Sequence, residues 1–366
     1  MQMKSGLTRT MVEMAVLLTL PFAVTGAHAE PELLVRPAIH DTRASNRVML
    51  AISRAGERLV AVGEHGIILL SDDNGKTWTQ ASVPVSLTLT NVRFVDATNG
   101  WAVGHGGVVL HTVDGGKNWI KQLDGVQAAA LVHEAAAAAA GEGGEDARRA
   151  LAAADQLVAD GPDKPFLDVY FADERRGLIV GAYGLAFATE DGGKHWRSIS
   201  ERIPNPQGLH LYSINVSGNE LFIAGEQGSL FRATGGWESF TRIATPYAGT
   251  YFGSLVANNN AIVVFGLRGN IYRSGDAGQT WQKIDGGNTT TLTAGLRLPD
   301  GRLLLVNQAG QLLQSHDAGS SFRQLTLRSA SALSGITQAA DGSLVLSGVR
   351  GVTSVTLATQ FAEQKQ

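Results

Sequence analysis

The 366-residue chain contains no cysteine, which rules out disulfide staples, a thiolate nucleophile, cysteine metal ligands and a cysteine-borne lipid. Neither sign of charge dominates: 30 Lys and Arg stand against 33 Asp and Glu, a net charge of −3. A nucleic-acid partner, which wants a concentrated basic field, is therefore excluded from the reading. Beyond the N-terminus no apolar run approaches the roughly 20 residues that a membrane-spanning helix needs. Aromatic residues make up only 7% of the chain, so their return at a fixed interval carries information.

The one long apolar stretch is N-terminal. Lys4 and Arg9 precede Met14 to Val24, and Ala27-His28-Ala29 offers a small-residue cleavage site before Glu30. Residues 1–29 read as a secretory signal, too short in its apolar part to anchor in a bilayer. Cleavage would remove Lys4, Arg9 and Glu13 and shift the net charge from −3 to −4. The expected product is a soluble periplasmic monomer with no transmembrane segment.

What the chain has in abundance is glycine, 44 residues, deployed in a repeat. Ser71-Asp72-Asp73-Asn74-Gly75-Lys76-Thr77-Trp78 is the clearest copy of a Ser/Thr-x-Asp-x-Gly-x-x-aromatic box. Further copies close at Trp119, Trp196, Phe240, Trp281 and Phe322, at intervals of 41, 77, 44, 41 and 41 residues. Within residues 90–123, four short β-rich runs are separated by turns, the size of one propeller blade. The box has a structural explanation: its Asp accepts turn amides, its Gly tolerates positive φ, and its aromatic ring packs across the blade. Asp73, Asp114, Asp191, Asp276 and Asp317, with Trp78, Trp119, Trp196, Trp281 and Phe322, are read as scaffold. In the fourth copy Gly235 replaces the Asp, which predicts a looser turn.

A second phased motif counts the blades. Glycine-flanked reversals begin at residues 63, 104, 181, 225, 266, 307 and 348, so the fold class is all-β, a seven-bladed β-propeller over residues 30–366. The seventh blade lacks a box, and Glu32 to Pro37 is the expected donor of its missing outer strand, closing the ring. The 77-residue interval carries 36 extra residues, roughly Gln127 to Lys164. Their alanine-rich runs, broken at Gly141 to Gly144, predict a helical hairpin between blades two and three.

The variable reversal positions Glu64, His65, His105, Tyr183, Glu226, Gln227, Arg268, Gln308 and Arg350 are expected to ring the propeller mouth. Arg268 and Arg350, with Gln308 between them, suit a partner's carboxylate. His65 and His105, read as equivalent positions near Glu64, lack a convergent third ligand, so no metal and no cofactor is expected. Hydrolysis would need two opposed carboxylates, and Glu64 and Glu226 lie three blades apart.

Two resemblances follow. Aspartate boxes also occur in sialidases and some endoglucanases, but the sialidase aromatic-Arg-Ile-Pro motif has only Glu201-Arg202-Ile203-Pro204 as a counterpart, after the third box. Phe94 to Gly104 and Phe171 to Gly181 pair an aromatic-x-Asp turn with a Val-Gly-ending strand ahead of the box. With these, nearly all of residues 32–358 resembles the photosystem II assembly and stability factor family. That resemblance implies a non-catalytic seven-bladed propeller that binds an assembly intermediate through an arginine patch. Similar exported proteins occur in bacteria that do not photosynthesise, often beside exporters of the resistance-nodulation-division type. The leading expectation is thus a periplasmic scaffold for a membrane protein or its periplasmic loops. A glycan-active hydrolase and a small-ligand sensor with the hairpin as lid are the alternatives.

Overall fold

The computed structural model describes residues 32–141, 143–258, 261–325, 327 and 331–355. The expected signal segment lies outside the described residues. Seven antiparallel sheets follow one another along the chain, six of four strands and the last of three. Blade two is typical: Leu89–Phe94 innermost, then Gly100–Gly104, Val109–Thr112 and outermost Ile120–Leu123. The second strands are apolar on both faces, as in Val60-Ala61-Val62 and Leu304-Leu305-Val306, because each lies between the two neighbouring blades. Successive blades pack through their inner strands, so the core is a chain of apolar clusters around the ring.

The Asp boxes form the predicted turns. Asp73 Oδ1 accepts the Lys76 and Thr77 amides at 3.0 and 2.9 Å, and Ser71 Oγ donates to it at 2.8 Å. In Asp276 the Thr280 hydroxyl, the Thr280 amide and Ser274 together hold the carboxyl down to about 2. The box glycine also joins blades: Gly116 lies on Leu70 of blade one and Gly319 on Val263 of blade five. In blade four a Cβ on Gly235 or Gly236 would meet nothing within 4 Å, and a cavity of about 310 Å³ opens beside Trp237.

Ring closure differs from the expectation. Glu32–Val35 is one turn of helix (α1), not a strand, and among the described residues blade seven has three strands. Its contacts fit the turn: Arg36 pairs with Glu32 one turn back at 3.0 Å, and only Leu34 is buried, so burial does not alternate as a strand's would. Blade one closes directly on blade seven through a shared apolar cluster containing Met49, Leu59 and Val345. Ser334 Oγ donates to Met49 O at 2.6 Å, the same link that Thr90 makes to Phe166 O and Thr293 to Leu333 O.

The insertion folds as two helices, Gly125–Gly141 (α2) and Glu145–Asp160 (α3). The buried Asp124 caps α2, accepting the Val126 and Gln127 amides at 3.1 Å, and pairs with Lys121 at 2.8 Å. Ala128, with half-buried Leu131, Val132 and Leu157, packs on Phe166, Leu185 and Trp196, so the hairpin base rests on blade three.

Candidate functional site

In every blade the amide that opens the reversal donates to the carbonyl just ahead of that blade's inner strand, from Glu64 to Val48 in blade one through Val349 to Ala332 in blade seven. The glycine of the reversal then faces the segment leading into the next blade around the ring, as Gly66 faces Val85 O and Gly351 faces Ser45 O. Reversals and linkers, the hairpin among them, therefore share one face. A Cβ on Gly107 would stand 2.6 Å from Gly125 Cα, so the first turn of α2 lies against the blade-two reversal.

This bond pattern corrects one alignment. His105, whose amide bonds Thr88 O, corresponds to Glu64 and not to His65. The two histidines are out of step by one place. Among the described residues no group of three His, Cys, Asp or Glu is placed to hold a metal.

The second reversal position has left-handed backbone in five blades, and only blade two uses glycine there, Gly106. His65, Tyr183, Gln227 and Arg268 occupy it at φ between 50 and 57°. Left-handed backbone costs a non-glycine residue about 1–2 kcal/mol. These blades thus carry exposed side chains where glycine would fit with less strain. Gln308 and Arg350 are exposed too, and neither the Arg268 nor the Arg350 guanidinium has a carboxylate partner among the described residues. Glu226 is engaged: its Oε2 accepts the His210 amide at 2.8 Å and lies 3.1 Å from His210 Nδ1. Glu64 is half-buried within the field of Arg47.

The axial channel, about 370 Å³, is lined by the inner strands and by none of these reversal residues or the hairpin. Its lining includes Arg93 and Asp168, which the motif spacing did not single out. Asp168 ties three blades together. Its carboxylate accepts Asn91 Nδ2 at 2.6 Å, its neighbour's amide at 2.8 Å and the Ile214 amide at 2.6 Å. Burial pushes the Asp168 carboxyl up, against the pull of the Arg93 guanidinium and the two amides. Having no hydrophobic period or box to mark it, an isolated Asp in an inner strand is invisible to spacing arguments.

A profile of the family described as photosynthesis system II assembly factor YCF48 matches residues 70–135 and 151–348, over half of the chain. It passes over residues 136–150, the outer part of the hairpin. The photosystem II assembly lipoprotein Ycf48 of Synechococcus sp. strain CC9902 is 39% identical over 77 residues, 21% of this chain and 23% of that protein. The chain thus matches about a quarter of that curated relative's length. A solved structure of YCF48 bound to D1 peptide superposes with a TM-score of 0.63 at 17% identity, covering 88% of this chain and 99% of that one. YCF48 from Cyanidioschyzon merolae gives 0.62 at 16% identity, over 87% and 97% of the two chains. At such identity the structural likeness speaks for the shared propeller fold.

Proposed function

Because the chain belongs to the photosystem II assembly factor YCF48 family, we propose that it is a non-catalytic scaffold that docks an extracytoplasmic segment of a membrane protein on its reversal face. The observation that carries this reading is the set of exposed non-glycine residues held in left-handed backbone, His65, Tyr183, Gln227 and Arg268. Such strain persists only where the surrounding structure holds it, and it clusters at functional sites. Arg268 and Arg350 supply two unpaired guanidiniums for carboxylates of the partner, with Gln308 between them, and His65, His105 and Glu64 extend the surface across blades one and two.

The relative solved with a D1 peptide supports a peptide-binding role for the fold family. The curated relatives are named lipoproteins, whereas this sequence has no cysteine to carry a thioether-linked lipid. The N-terminal segment of Lys4, Arg9 and the apolar run to Val24 supports a periplasmic location after cleavage following residue 29. The outer part of the hairpin, which the family profile passes over, adapts the scaffold to a partner complex of its own, for which an inner-membrane exporter of the resistance-nodulation-division type is the specific candidate.

Affinity capture from detergent-solubilised membranes tests this. A discrete membrane partner is expected, with recovery reduced when Arg268 and Arg350 are both changed to Ala. Absence of any membrane partner under gentle solubilisation would sink the proposal.

A further inference from the structure

Four rings cross the reversal face on one arc. Tyr183 of the blade-three reversal, His210 ahead of blade four, Tyr212 and then Phe252 follow one another with centroids 4.9, 6.3 and 4.9 Å apart. Tyr212 and Phe252 are the second residues of the inner strands of blades four and five, and both line the channel. At that register the other blades carry Leu50, Thr90, Leu167, Thr293 and Ser334, so the arc is confined to one side of the rim. Tyr183 is 58% exposed, and the other three rings are half-buried.

The polar groups along the arc fall into two kinds. Its charged groups are partnered in place: Lys164 stands 5.1 Å above the Tyr183 ring and is held by Asp160 at 3.1 Å and by Asp163, while His210 Nδ1 lies 3.1 Å from Glu226. Its hydroxyls are not. Ser213 Oγ and Ser254 Oγ, next to Tyr212 and Phe252 in the channel wall, are shielded and have no hydrogen-bond partner, and Ser254 is only 4% exposed.

We infer that this arc reads proline, aromatic or aliphatic side chains of an extended, uncharged peptide segment of a partner protein. The inference rests on the docking reading and adds the chemistry of the segment. Partnered charges beside Tyr183 and His210 leave the ring faces as the recognition surface, which suits apolar side chains. A glycan fits less well. Adjacent rings are inclined at 45, 29 and 76°, so they form no common platform for pyranose faces. The carboxylates that would grip sugar hydroxyls, Glu226 and Asp168, are already engaged.

Panning the purified protein against a random dodecapeptide display library tests the inference. Enrichment of near-neutral sequences rich in proline and aromatic residues is expected. Binding of a selected peptide should fall about tenfold for Tyr183→Ser and for Tyr212→Ser, and stay within about threefold for Tyr212→Phe. Unchanged thermal melting of the exposed-site Tyr183→Ser variant guards against loss through misfolding. No enrichment, enrichment of charged sequences, or equal binding to the serine variants would overturn it. So would chitohexaose binding, or self-association in sedimentation, that Tyr183→Ser abolishes. Membrane capture separates the two proposals: a partner captured by wild type without peptide enrichment sinks the arc alone, and selected peptides without a membrane partner sink the scaffold reading alone.

Discussion

Trp101 of blade two and Phe171 of blade three stack with ring centroids 3.5 Å apart and planes inclined by 7°. His111 covers the other face of the Trp101 ring at 4.6 Å, and Trp101 is fully buried. The stack welds the two blades that carry the insertion between them. Trp101→Ala should therefore cost about 3–5 kcal/mol in urea unfolding, with loss of near-ultraviolet ellipticity from this cluster.

Gly319 and Gly287 separate two reasons for glycine. Both have positive φ, but a Cβ on Gly319 would stand 2.3 Å from Val263 Cγ2, whereas one on Gly287 meets nothing within 4 Å. Gly319→Ala should cost about 2–4 kcal/mol, and Gly287→Ala about 1 kcal/mol. Equal melting temperatures for the two variants would count against the box glycine as an inter-blade contact.

Acid should unlock the boxes. The folded Asp276 carboxyl lies at about 2, below its ordinary 3.8, so its contribution is complete above pH 3.8 and disappears as the pH falls toward 2. Melting temperature should drop across that window. Asp276→Asn keeps the acceptor oxygen but removes the charge, and its profile there should be shallower than that of wild type.

The hairpin depends on Asp124. Asp124→Ala removes the cap of α2 and a buried partner of Lys121, at a cost of about 1–2 kcal/mol local to the hairpin. Trypsin should then cut faster after the exposed Arg148 and Arg149, while amide exchange in the inner strands is unchanged.

Arg268→Gly relieves left-handed strain at φ 57°. Stability should be retained or raised by up to about 1 kcal/mol, while capture of the membrane partner weakens. A variant that is both less stable and fully competent in capture would contradict the docking role of this position.

The repeat made most of this architecture readable. The reversals at 63, 104, 181, 225, 266, 307 and 348 each found a place in a sheet, because their glycines answer to local backbone geometry that a sequence states directly. The hairpin was likewise legible from Ala128 to Ala140 and the glycines at its turn, although its true start depends on Asp124, outside the expected boundary. Closure was not legible. Whether Glu32 to Arg36 forms a strand or a helical turn is decided by contacts with Ser86 and the blade-one to blade-two linker, far along the chain. The ring arc escaped for another reason. Only Tyr183 belongs to a phased motif, while Tyr212 and Phe252 stand out solely when the seven inner strands are set side by side and their second residues compared.

The link from Ser334 to Met49 joins the last blade to the first across 285 residues. Until blade seven exists, one flank of blade one has no neighbour, so during synthesis the earliest strands must wait with apolar surface uncovered. The entropy of closing so large a loop rises only with the logarithm of its length. The burden therefore falls on time rather than on final stability, and the ring is most vulnerable to aggregation and proteolysis just before its final blade is made.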